Sequence, residues 1–91
     1  MSVTVKLPTQ LRASAGGEGA IVVDGSTVGE ALEALYAAHP ELRERLSDED
    51  GTLRRFINVY VSGDDIRFGE LLDTPVADGQ EVQILPAVAG G

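Results

Sequence analysis

Thr27-Val28-Gly29-Glu30-Ala31-Leu32-Glu33-Ala34-Leu35 is the stretch on which the fold turns. Thr27 and Glu30 have the Thr-x-x-Glu spacing of a capping box, in which a side-chain oxygen satisfies an amide that the first helical turn leaves unpaired. Val28, Leu32 and Leu35 follow at i, i+4 and i+7 with Ala31 beside them, so one apolar stripe faces a core. The helix ends at His39-Pro40, because the residue before a proline avoids the α region. Glu41 to Leu46 adds a further helical turn through Leu42 and Leu46.

Upstream, Val3 and Val5 alternate with Thr4 and Lys6, the period of a half-buried strand, and Leu7-Pro8 closes it. Leu11 to Gly19 reads as a loop through Gly16-Gly17-Glu18-Gly19, after which Ala20-Ile21-Val22-Val23 supplies a second strand ending at Asp24-Gly25. A glycine cluster can cradle phosphate, but only where a helix opening on Lys-Ser/Thr follows it, and here a strand follows.

Downstream, Ile57, Val59 and Val61 alternate with Asn58 and Tyr60, and Ser62-Gly63-Asp64-Asp65 is turn chemistry leading into Ile66-Arg67 as a hairpin. Leu71-Leu72 before Thr74-Pro75 suggests a short helical turn or loop. Asp78-Gly79 is a second hairpin signal before a last strand in which Val82 and Ile84 point one way and Gln83 and Leu85 the other. Ser47-Asp48-Glu49-Asp50-Gly51 is acidic, yet its glycine is misplaced for a calcium loop and no carboxylate stands where the bidentate ligand belongs, so it is a solvated loop. His39, without a cysteine or second histidine, is structural or solvated.

The order β-β-α-β-β-β has one compact solution: an α+β domain of the β-grasp kind, with a mixed sheet wrapped over one main helix. The first and last strands then lie parallel at its centre. Residues 1–86 form the domain, and residues 87–91, ending in Gly90-Gly91, project as a free, flexible tail.

Ninety-one residues with 15 acidic and seven basic side chains give a formal charge of −8, which repels nucleic acid and anionic lipid and favours basic partners. A chain of this size has room for one core. The absence of cysteine excludes disulfides and thiolate metal sites, and no apolar run approaches the roughly 20 residues that span a bilayer. A cytoplasmic protein, monomeric on its own and with no bound metal or cofactor, is expected. Lys6 is the sole lysine, which suits the chain poorly to building isopeptide-linked polymers of itself. So little side-chain chemistry leaves the terminus as the candidate reactive group.

Glycine lacks a Cβ, so a Gly-Gly end can lie extended in a narrow channel and leaves its terminal carbonyl open to approach. The Gly91 carboxylate is ionised at neutral pH and inert until converted to a mixed anhydride, which requires a partner with ATP. The competing reading is a frayed end without function.

On these features the chain resembles the ubiquitin-like sulfur carrier proteins of the MoaD/ThiS family, which share this strand-helix pattern, a final Asp-Gly-x-x-Val strand and a Gly-Gly end. Arg55-Phe56-Ile57-Asn58-Val59-Tyr60-Val61, Asp65-Ile66-Arg67-Phe68 and Leu85-Pro86-Ala87-Val88-Ala89-Gly90-Gly91 resemble in particular the actinobacterial members that serve cysteine biosynthesis. The resemblance implies a protein co-substrate rather than an enzyme. An E1-like (MoeB/ThiF-type) partner would adenylate Gly91 with ATP and convert it to a thiocarboxylate. A pyridoxal-phosphate-dependent cysteine synthase using O-phosphoserine would accept the sulfur, and a metal-dependent peptidase would release cysteine. Thiamin, molybdopterin or a specialised thio-metabolite are alternative destinations, and conjugation through Gly91 as a protein modifier is a further one.

Strand alternation also suggests a docking surface. With Ile57, Val59, Val61, Val82 and Ile84 against the helix, Tyr60 and Leu85 fall on the opposite face near the tail, with Phe56 beside them. The alternative is that Tyr60 is a residue at the edge of the core.

Overall fold

The computed structural model describes residues 2–49, 52–54, 57–66 and 69–86. β1 (Ser2–Lys6) leads through α1 (Thr9–Arg12) and a 3-10 turn (Ala13–Ala15) to β2 (Ala20–Asp24). α2 (Val28–Ala38) and α3 (Glu41–Leu46) follow, then β3 (Ile57–Val61), β4 (Asp64–Asp65), a second 3-10 turn (Leu71–Asp73) and β5 (Glu81–Pro86). The sheet order is β2-β1-β5-β3-β4. β1 and β5 are parallel, and the other pairs are antiparallel. This is the expected β-grasp.

Alternation makes the core. Val3 and Val5, Ile21 and Val23, Ile57, Val59 and Val61, and Val82 and Ile84 are all buried on one sheet face. Val28, Ala31, Leu32 and Leu35 of α2 close over them. A fully buried aliphatic side chain contributes about 1.5–3 kcal/mol, so this two-layer contact carries most of the stability.

Thr27 caps α2 as its spacing requires, its Oγ1 accepting the Glu30 amide at 3.1 Å. The reciprocal arm differs from the capping box. Glu30 Oε1 reaches one residue further back, accepting from the Ser26 amide at 2.9 Å and the Ser26 hydroxyl at 2.7 Å. Those hydrogen bonds stabilise the ionised form and hold the Glu30 carboxyl below its usual pKa.

Three expectations are corrected. The segment from Leu11 to Gly19 is not a plain loop, because its first part forms α1 and a 3-10 turn that bury Leu11 and Ala15. Pro8 stands immediately before α1, where its fixed φ suits a helix start, but four residues are too few to display a helical period. Asp78-Gly79 turns the chain without making a hairpin, since β5 pairs with β1 and β3. The turn is fastened to the start of β1 instead: Ser2 N–H donates to Asp78 Oδ1 at 2.8 Å, and the Gly79 amide donates to the Ser2 carbonyl at 2.7 Å. That places β5 beside β1. The first hairpin is present but tighter than expected: Ser62 (φ 50°) and Gly63 (φ 92°) alone make the two-residue turn, so Asp64–Asp65 form the returning strand β4, while Ile66 lies past it and Arg67 lies outside the described residues.

Candidate functional site

β5 is the middle strand of the sheet, and its direction decides where the end of the chain is delivered. Gln83 pairs with Lys6 of β1 on one side, while Leu85 and Pro86 pair with Asn58 and Ile57 of β3 on the other. The end of β5 therefore lies between the end of β1 and the beginning of β3. Ala87, Val88, Ala89, Gly90 and Gly91 continue the sequence from Pro86 and lie outside the described residues, as do Arg55, Phe56, Arg67 and Phe68.

The ground beside Leu85 is a shallow groove of about 480 Å³ lined by Leu7, Pro8, Thr9, Arg12 and Gln83 among others. Arg12 walls it. Its Nε donates to the Leu7 carbonyl at 3.2 Å, and its guanidinium lies so close over Gly19 that a Cβ there would meet Nε at 2.8 Å. Lys6 and Glu81 form an ion pair at 3.4 Å on the outer sheet face, with about half of each side chain exposed, so it contributes little to stability. Neither Arg12 nor Gly19 stands out in the sequence. Their place beside β5 follows from β1 running parallel to it, with the Leu7 amide bonded to the Gly19 carbonyl at 2.9 Å.

Tyr60 and Leu85 do share the face away from α2. Tyr60 pairs with Gln83, and Leu85 with Asn58 two residues before Tyr60, so the two side chains are diagonal neighbours. Both are half-buried. Asn58 beside Leu85 encloses its Oδ1 without a hydrogen-bond partner among the described residues. Elsewhere the exposed large apolar side chains among the described residues are Val22 and Leu71, 67% and 56% accessible. Alternation alone does not single out Val22, because its neighbours Ile21 and Val23 are equally β-branched.

Other perturbed groups belong to packing rather than chemistry. Burial raises the pKa of the Tyr36 phenol, against the opposing effect of its 2.8 Å hydrogen bond to Ser47 Oγ. Arg43 lies 4.9 Å over the Tyr36 ring and grips Glu33 at 2.8 and 3.3 Å, which raises its pKa further. No group of three or more His, Cys, Asp or Glu arranged to hold a metal occurs among the described residues. No helix is long and apolar enough to cross a membrane among them.

The fold and the strand leading to the tail define a small ubiquitin-like β-grasp protein. The chain belongs to the ThiS family, whose pattern matches residues 5–91. It is 46% identical over 93 aligned residues to the sulfur carrier protein CysO of Mycobacterium tuberculosis, covering 100% of both chains. It superimposes with a TM-score of 0.90 on a chain from the crystal structure of the Amycolatopsis orientalis BexX/CysO complex, at 46% identity and covering 98% of this chain and 99% of that one. It is also 44% identical over 70 residues to small archaeal modifier protein 1 of Haloferax volcanii, covering 76% of each.

Proposed function

We propose that this protein is a sulfur carrier and a co-substrate of partner enzymes, with the Gly91 carboxylate as the group that carries the sulfur. The observation behind the reading is the placement of β5: a central strand, bonded on both sides, reaches Pro86 beside the half-buried Tyr60 and Leu85, with the Gly-Gly end five residues on in sequence. The name of the CysO relative, identical at 46% of positions along its full length, supports the same reading.

In the proposed cycle a carboxylate oxygen of Gly91 attacks the α-phosphorus of ATP held by an E1-like partner, and pyrophosphate leaves. Hydrosulfide then displaces AMP from the acyl carbon and, losing its proton, leaves the thiocarboxylate. ATP belongs to the partner. Tyr60 and Leu85, with Phe56 beside them in sequence, form the proposed docking surface, and Ala87-Val88-Ala89-Gly90 is the reach that brings Gly91 to the nucleotide. The acceptor we favour is a pyridoxal-phosphate-dependent cysteine synthase that uses O-phosphoserine, with a metal-dependent peptidase releasing the product, which makes cysteine the destination of the sulfur.

The likeness to an archaeal modifier protein supports a second reading, in which activated Gly91 is joined to lysines of other proteins. Intact mass spectrometry separates the two. After incubation with an E1-like enzyme of the MoeB/ThiF type, ATP and a sulfur donor, the carrier reading expects the mass increase of one oxygen replaced by sulfur; adding O-phosphoserine and its synthase should convert that species to a cysteinyl adduct with loss of phosphate, and the peptidase should then return the starting mass. A ladder of conjugates in lysate with no thiocarboxylate would favour the modifier, and an unchanged mass would sink both.

A further inference from the structure

The hydrogen-bond phase of β1 and β2 leaves one edge of the sheet open. Leu7 N–H bonds to the Gly19 carbonyl at 2.9 Å, and the register places Val5 opposite Ile21 and Val3 opposite Val23, so Ile21 and Val23 spend their backbone groups on β1. Thr4 N–H turns the other way, to the Gln80 carbonyl at 3.0 Å, which makes Thr4 and Val22 a non-hydrogen-bonded pair. The N–H and C=O groups of Ala20, Val22 and Asp24 therefore point off the edge, and none has a partner among the described residues.

Sheet edges of this kind are commonly blocked by lysine, proline or a bulge. β2 has none of these. Its sequence is Ala-Ile-Val-Val-Asp, it pairs with β1 without interruption, and Val22 is 67% exposed on its outer side. The helix side is also accessible. Gly29 and Tyr36 of α2 line a cavity with Leu72, so the helical period sets the half-buried Ala34 and the exposed Ala38 on the opposite flank of the helix.

We propose that β2 is a second docking edge, which takes an extended, basic, β-branched segment of a partner protein as an added antiparallel strand. Charge selects the occupant. Asp24 closes the strand on its outer face with no ion-pair partner among the described residues, Glu18 precedes the strand, and the chain carries −8. Opposite Asp24 the added strand places lysine or arginine, and opposite Val22 a β-branched residue. A second copy would bring the same −8 to the edge, so self-pairing is disfavoured. One strand, β1, separates β2 from β5, so the edge stays free while the chain terminus is engaged elsewhere.

The test uses the full chain and the synthetic peptide acetyl-Lys-Lys-Val-Ile-Val-Tyr-amide, followed by NMR of the labelled protein. The amides of Ala20, Val22 and Asp24 are expected to shift and gain protection from hydrogen exchange, with those of Tyr60 and Leu85 unmoved. Val22→Pro removes an outward donor at an edge position where proline is tolerated, and should weaken binding about tenfold or more. Methylating the isoleucine amide of the peptide removes one strand bond without touching the protein, and should do the same. Replacing its lysines by glutamate should abolish binding. Shifts centred on Tyr60 and Leu85, equal binding of the methylated or glutamate peptide, or sedimentation of the protein alone as a dimer through β2 would each overturn the proposal.

Discussion

The guanidinium of Arg12 lies over Gly19, and the space it occupies is the space a side chain at position 19 would need. Gly25 is crowded too, but by the helix backbone: a Cβ there would stand 2.7 Å from the Ala31 amide nitrogen and 3.0 Å from its Cα. The two glycines should therefore respond differently to alanine. Gly19→Ala displaces a flexible side chain and gains from a stiffer unfolded chain, so its net effect is expected within about 1 kcal/mol. Gly25→Ala must shift α2 and should cost about 1–3 kcal/mol. Urea unfolding of both variants checks the contrast, and equal losses would contradict it.

Tyr60→Asp and Leu85→Asp place a charge at half-buried positions on the sheet face away from α2. Each is expected to slow activation by the E1-like partner about tenfold or more while circular dichroism stays native. A melted domain would mean that these side chains support the core instead of a partner.

Thr27→Ala removes the acceptor for the Glu30 amide and is expected to cost about 1 kcal/mol of stability. Sulfur loading of the folded variant should match wild type. A loading defect in a fully folded sample would give Thr27 a role beyond capping.

Glu30 fixes the sign of one pH effect. Its folded pKa is lowered from 4.5, first by the Ser26 amide and then by the Ser26 hydroxyl, so its contribution is present above the unfolded value and is lost as pH falls through the folded one. Melting temperature measured from neutral to acid pH should drop below about pH 4.5, and more shallowly in Glu30→Gln. Parallel acid limbs in the two proteins would remove Glu30 as a contributor.

Deleting Gly91 leaves a carboxylate on Gly90, drawn back by about 3.3–3.6 Å. Because misplacement of about 1 Å can cost 100-fold, the shortened chain should melt as wild type does and fail to load sulfur. Gly90→Val should also impair loading, since a β-branched residue thickens and stiffens the tail. Full loading of the deletion variant would end the carrier reading.

The parallel pairing of the first and last strands follows from the β-grasp arrangement of the elements, and the facing of Val82 and Ile84 is legible because alternation is a physical consequence of burying one side of each strand. Tyr60 and Leu85 were placed on a common face by the same reasoning, which the register bears out. What escaped depends on contacts between distant segments. α1 is too short to show a period, the Asp78 turn takes its partner from Ser2 at the other end of the chain, and the reach of Glu30 to Ser26 rather than to Thr27 depends on how the chain enters the helix. Arg12 over Gly19 and the outward groups of β2 become visible only once β1 has been paired. Phe56 and the tail residues lie outside the described residues, so their expected roles rest on sequence and kinship.

The place of β5 between a parallel and an antiparallel neighbour also has a mechanical meaning. A force drawing the chain out through Pro86 acts along the strand, so both flanking ladders resist together in shear instead of opening one bond at a time. An enzyme that grips and pulls the last residues would thus work against the strongest direction of the sheet and could haul on its cargo without unravelling the protein that bears it.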